Sequence, residues 1–152
     1  MRYLLVLLML FTTSARAFEI DPVAALIDDK TCLKLNMYHE SRGEKMRGMI
    51  EVMKVTLART MNPEFPRSVC DVVWQQKPVP QFSWTADSIL DNDIHDRKAW
   101  FQIDKLVELY YSGNLHIKID PEITYYHAGP ITRFFRKLEF VKRIGRHSFY
   151  RE

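Results

Sequence analysis

Within seven residues, Tyr38-His39-Glu40-Ser41-Arg42-Gly43-Glu44, this chain ends one helix and begins another. Upstream, Cys32, Leu35 and His39 share one helical stripe and Leu33, Met37 and Glu40 the neighbouring one, so the spacing predicts a helix over 31–40. Gly43 stops that helix and lets the backbone turn. A second helix follows from about Glu44 to Thr60, with Met46, Met49, Ile50, Met53 and Leu57 at helical spacing, until Asn62-Pro63 ends it. Its methionine-rich stripe is ordinary core and holds Glu40 against a packed neighbour. A carboxyl beside an apolar stripe loses hydration on folding, which raises its pKa and suits it to donating a proton near neutrality. The plainer reading of the same residue is a helix-end glutamate that pairs with Arg42 or caps the next helix.

The first seventeen residues read as something other than fold. Arg2 is a short positive start, Tyr3 to Phe11 is an unbroken apolar run, and the stretch ending Ala15-Arg16-Ala17 carries an Ala-x-Ala cleavage signal. That is the pattern of a secretory signal peptide, and the run is too short to span a bilayer. Residues 18–152 are then expected to form one domain working outside the cytoplasm, periplasmic or extracellular, with no stable membrane anchor. The whole chain carries 22 Lys and Arg against 19 Asp and Glu. Loss of Arg2 and Arg16 leaves 20 against 19, a net charge of +1, so the mature protein is far less basic than the full sequence suggests. The remaining charge is uneven, since residues 131–152 hold seven Lys or Arg and only Glu139 and Glu152. A basic end can attract an anionic polymer or surface, or it can be a solvated face. Nucleic acid is a poor partner, because no groove-reading motif or stacking pattern accompanies the charge.

Cys32 and Cys70 are the only cysteines, and an oxidising compartment permits them to pair, tying the first helix to the segment after the second. Asp28 and Asp29 stand where they can cap the first helix. After Phe65-Pro66 a short helix is expected through Val73 and Trp74, broken by residues 75–80. Gln81-Phe82-Ser83-Trp84 then puts two aromatics and two hydrogen-bonding side chains in loop or strand. Such a group can floor a sugar site, with rings against pyranose faces and amides on the substituents, or it can plug a core edge. A third helix is expected over 96–112, with Trp100, Ile103, Val107 and Tyr110 or Tyr111 inward and Gly113-Asn114 closing it. Leu115 to Asp120 alternates like a strand, and Ile123 to Ala128 is a second strand-like run leading to His127. A short basic helix is expected at 131–137, and the run 144–150 ends the domain with His147.

Taken together these stretches resemble the SleB/CwlJ-type cell wall hydrolases, the spore cortex-lytic enzymes and their relatives in bacteria and phages. The resemblance rests on ordered blocks: 38–44, Leu57-Ala58-Arg59, Phe65-Pro66-Arg67-Ser68-Val69-Cys70-Asp71-Val72-Val73, Gln81-Phe82-Ser83, and Tyr126-His127-Ala128 followed by Ile144-Gly145-Arg146-His147-Ser148-Phe149-Tyr150. It implies an α+β, mainly α, lysozyme-like single domain with a small β element near the C-terminus. It also implies a monomer that needs no cofactor or metal and cleaves the glycan strands of peptidoglycan between N-acetylmuramic acid and N-acetylglucosamine as a lytic transglycosylase. The first glutamate of the family's Glu-Ala/Ser-Arg-Gly-Glu motif falls on Glu40, the expected catalytic residue. Glu44, Gln81, Phe82, Ser83, Tyr126, His127 and His147 are the expected substrate-binding residues.

Three departures stand out against that family. Ala58 occupies a position where relatives commonly have Asn, Arg133-Phe134-Phe135 replaces a Pro-x-Trp, and His39 precedes the glutamate where Gly or Ala is usual. His39 could therefore tune Glu40 through an adjacent charge. Other chemistries consistent with the residues are a hydrolytic muramidase, which needs a second carboxylate, and a zinc amidase using His39, Glu40 or Glu44, His127 and His147. A silent peptidoglycan-binding module is the reading outside catalysis.

Overall fold

The computed structural model describes residues 21–152, so the expected leader, residues 1–17, lies outside the described residues. Helix α1 (Asp29–Ser41) starts where the Asp28 carboxylate accepts the Thr31 N–H at 2.6 Å. Its buried residues, Cys32, Leu33, Leu35, Asn36, Met37 and Tyr38, run around the helix, wider than the two stripes read from the sequence. A helix apolar on most sides belongs in the centre of a domain. Helices α2 (Met46–Met61), α3 (Val69–Val73) and α4 (Arg97–Tyr111) accordingly all pack on it. Asn36, polar and fully buried within that packing, is satisfied on both sides: its amide donates to Thr56 Oγ1 on α2, and its carbonyl accepts Trp84 Nε1. The Tyr38 hydroxyl accepts the Asp96 N–H, fixing the start of α4 against α1.

Cys32 and Cys70 form a disulfide between α1 and α3, and Asp29 Oδ1 accepts the Cys70 N–H beside it. In α2 the inward residues extend from Met49 through Val52, Met53, Val55, Thr56 and Leu57 to Arg59, whereas Met46 is exposed. Ser68 caps α3 and Asp96 caps α4, which buries Ala99, Ile103, Leu106 and Val107 and closes at Gly113.

The C-terminal third forms a three-stranded antiparallel sheet in the order β1-β3-β2, from β1 (Tyr125–Ala128), β2 (Glu139–Ile144) and β3 (His147–Arg151). Tyr126 pairs with Phe149, and Ala128 with His147. Residues 115–120, expected as a strand, join no sheet among the described residues. Leu115, Ile117 and Ile119 do alternate inward against the core, but the segment runs extended without a ladder. The expected basic helix at 131–137 is reduced to a turn of 3-10 helix over Phe135–Lys137. The fold class is as the sequence predicts: mainly helical, lysozyme-like, with a small β element at the C-terminus. Among the described residues no helix is long and apolar enough to cross a membrane.

Candidate active site

Glu40 lies in the last turn of α1, and the sheet brings Tyr126 over it. The Tyr126 hydroxyl donates to Glu40 Oε2 at 3.0 Å. Burial holds the Glu40 carboxyl above the ordinary glutamate value, against the Tyr126 hydrogen bond and the Arg59 charge, which both pull it down. Burial also drives the Tyr126 phenol well up, and the Glu40 charge adds to that, so Tyr126 stays a neutral donor.

Arg59 is the cation of the site and is only 5% exposed. It ends the inward stripe of α2, where its Nε donates to the Thr124 carbonyl at 2.9 Å. Its guanidinium lies over the rings of Phe65, Phe82 and Tyr125 at 5.2, 5.1 and 5.9 Å. Arg59 and Tyr126 line a groove of about 600 Å³, together with Gln75, Gln81, Tyr125 and Phe135. Two buried polar atoms on residues of that groove have no hydrogen-bond partner, Arg59 Nη1 and Gln75 Oε1. The amide of Gln75 donates to the Lys77 carbonyl, which leaves its oxygen over. A donor and an acceptor left unpaired along one groove match a ligand that offers both, as an acetamido group does.

The residues expected to bind substrate do not lie in one place. Gln81 and Tyr126 line the groove. Phe82 does not offer a face to a sugar: it is 3% exposed and forms part of the core beneath Arg59, the core-edge alternative. Ser83 is exposed in a 3-10 turn and outside the groove lining. His127 stands behind the groove wall, its ring stacked on Phe135 at 4.7 Å and its Nε2 on the Pro130 carbonyl.

Glu44 and His147 form a second, adjoining cluster. The Glu44 side chain is 4% exposed, and Oε1 accepts Arg146 Nε at 2.9 Å while both oxygens take the Arg146 backbone N–H. Its oxygens are thus committed to the turn between β2 and β3 rather than open to a ligand. His147 stands between the two clusters, edge-on to Tyr126 at 5.2 Å and with Nδ1 3.7 Å from Glu44 Oε1. Burial lowers the His147 pKa, with the Glu44 charge opposing.

His39 turns away from Glu40. Its ring stacks on Trp84 at 4.4 Å and its Nε2 meets the Asp91 carbonyl at 3.0 Å. The ring thus packs between Trp84 and the loop that carries Asp91. His39, His127 and His147 face three different neighbours, and among the described residues no three or more His, Cys, Asp or Glu side chains are gathered to hold a metal.

Arg59, Gln75 and Phe135 were not among the expected site residues. Arg59 had a legible signal, an arginine in step with the buried face Val52, Val55 and Thr56, since a charge on an apolar stripe needs a partner or a task. Gln75 had none, because its orphaned oxygen depends on how the loop 75–81 folds.

Among solved structures, the catalytic domain of the Bacillus cereus SleB protein matches with a TM-score of 0.57 and 23% identity, over 81% of this chain and 89% of that one. No curated protein matched. The match to a family model starts at Gly43, three residues after Glu40, and includes Glu44, Arg59, Tyr126 and His147. That model, described as Cell Wall Hydrolase, covers residues 43–150, well over half of the sequence, and the chain belongs to the cell wall hydrolase family.

Proposed function

We propose that this protein degrades peptidoglycan by cleaving the β-1,4 bond between N-acetylmuramic acid and N-acetylglucosamine, as a lytic transglycosylase with Glu40 as its single catalytic carboxyl. The observation that carries the reading is the environment of Glu40: a carboxyl that burial keeps proton-loving, hydrogen-bonded by Tyr126, which itself lines the groove. Protonated Glu40 gives its proton to the glycosidic oxygen as the C1–O bond breaks and the N-acetylglucosamine hydroxyl leaves. The resulting carboxylate takes the proton of the muramyl C6 hydroxyl, whose oxygen bonds to C1 and closes a 1,6-anhydro ring. Atoms balance without water, whereas a hydrolase of the usual kinds needs a second carboxylate at a set separation. Glu44, the nearest acid in sequence, is engaged by Arg146. The unpaired Arg59 Nη1 and Gln75 Oε1 suit the acetamido groups both sugars carry. Residues 1–17 act in this reading as a leader that takes the protein to its substrate.

The test is digestion of purified peptidoglycan by the protein and by its Glu40→Gln variant, with released muropeptides weighed by mass spectrometry. Products one water lighter than hydrolysed disaccharide-peptides are expected. The variant should lose roughly 10²–10⁴-fold in rate, the usual worth of a positioned general acid. Products carrying the added water would make the protein a muramidase, and free stem peptides would make it an amidase.

A further inference from the structure

A second cleft opens four residues beyond Glu40, between the start of α2 and the turn joining β2 and β3. It has a volume of about 480 Å³, and its charged residues are Lys45, Arg47, Arg143, Arg146 and Glu44. Glu44 is already taken by Arg146. Among the described residues, Lys45, Arg47 and Arg143 have no carboxylate paired with them, and all three are exposed. Lys45 is also the N-cap of α2 and gives no side-chain cap, so the positive end of a 16-residue helix adds to the same cleft. Three unneutralised cations around one concavity repel one another and attract an anion of matching reach.

The position of the cleft narrows the choice of anion. Tyr126 bonds Glu40 on one side and meets His147 on the other, and His147 faces Glu44 in the floor of the basic cleft. Glu40 lines neither cleft itself, but these contacts link it to both, to the groove through Tyr126 and to the basic cleft through Tyr126, His147 and Glu44. A strand that follows these contacts from Glu40 reaches the second cleft. On a peptidoglycan strand the groups carrying fixed negative charge beside the glycan are the carboxylates of the peptide stems.

We propose that the cleft formed by Lys45, Arg47 and Arg143 is a subsite for the free carboxylates of the stem peptides, so that the protein prefers glycan strands that still carry their stems. The proposal rests on the reading of Glu40 as the residue at which the strand is cut. Arg146, held by Glu44, shapes the wall of the cleft, and the other three supply the free charge. At physiological salt, charges act over about 8 Å, so the subsite senses stems on the sugars next to the cut and not remote ones.

The test uses the full chain in the Glu40→Gln background, where binding is read without cleavage. Fluorescence anisotropy gives the Kd for labelled glycan strands whose stems keep their free carboxylates and for the same strands with those carboxylates amidated. Strands with free carboxylates should bind more tightly than amidated ones. Arg47→Glu with Arg143→Glu should weaken binding of strands with free carboxylates by about fivefold per reversed charge, the worth of an exposed ion pair near its upper range. Binding of the amidated strands should stay unchanged, and Arg47→Lys with Arg143→Lys should restore the preference. Equal losses on both strands, or none on either, would overturn the proposal. So would equal binding of the two kinds of strand that is competed away by a soluble polyglycerol phosphate, which would assign the cleft to wall phosphates. Because the readout is binding, failure of this subsite and failure of Glu40 chemistry give different results.

Discussion

Glu40 is held by two opposing influences, and their balance sets the pH at which it can work. Burial favours its protonated form, while Tyr126 and Arg59 favour the carboxylate. An acid that must be protonated to act loses activity as pH rises through its folded pKa. Tyr126→Phe removes a hydrogen bond to the charged form without opening the site to water, so the Glu40 pKa should rise and the alkaline limb of kcat/KM should move to higher pH. His39→Ala should leave that limb in place, because the His39 ring faces Trp84 and Asp91. The paired pH profiles check both statements, and a limb that moves with His39 but not with Tyr126 would reverse the assignment of roles. At this scale the sequence is informative about Glu40 itself: helical spacing puts it next to apolar residues, and its burial follows. Its partners are not legible in the same way. Tyr126 is 86 residues away and reaches Glu40 only because β1 pairs with β3, a non-local event that no window of sequence records.

The β2–β3 turn is the element that joins the sheet to the helices at the site. Gly145 turns with φ +58°, and a Cβ there would run into Glu44 Oε2, so only glycine lets the Arg146 N–H approach that carboxylate. Gly113, with φ +76° and open space around it, supplies the comparison. Gly113→Ala should cost about 1–2 kcal/mol for the left-handed backbone alone. Gly145→Ala should cost a further 1–3 kcal/mol, roughly the penalty for forcing an atom into packed space. Urea unfolding of the two variants measures the difference, and equal midpoints would mean that Glu44 yields without cost. The helices were legible because capping residues and 3.6-residue periodicity are local, as at Asp28, Ser68 and Asp96. The strands were legible only in part: the run 123–128 becomes β1 (Tyr125–Ala128), and the others do not follow the pattern. Residues 115–120 alternate as a strand does but join no sheet among the described residues, while Glu139–Ile144 becomes a strand despite an irregular register between Phe140 and Lys142 and charges at Glu139, Lys142 and Arg143. Alternation reports which side faces the core, and pairing decides what becomes a sheet.

At the scale of the molecule, the buried helix α1 carries both the site and the main covalent constraint, at opposite ends. Cys32 sits near its start and Glu40 near its close, and the bridge to Cys70 spans 38 residues of sequence. Closing a loop of that length removes chain entropy worth about 4 kcal/mol from the unfolded state in the loop-entropy treatment. Domains of this size have total stabilities of roughly 5–15 kcal/mol, so the bridge accounts for a large share. Asp29, which accepts the Cys70 N–H, remains to hold α3 near α1 when the bridge is absent. Replacing both cysteines by alanine should therefore lower the urea midpoint substantially while leaving a folded protein at low denaturant. The alkaline limb of its pH–activity profile should not move, because the groups acting on Glu40 come from α2 and β1 and not from the bridge. A limb that moved with the bridge would mean that α1 is free to shift along its length. The sheet would then have to follow it to keep Tyr126 on Glu40.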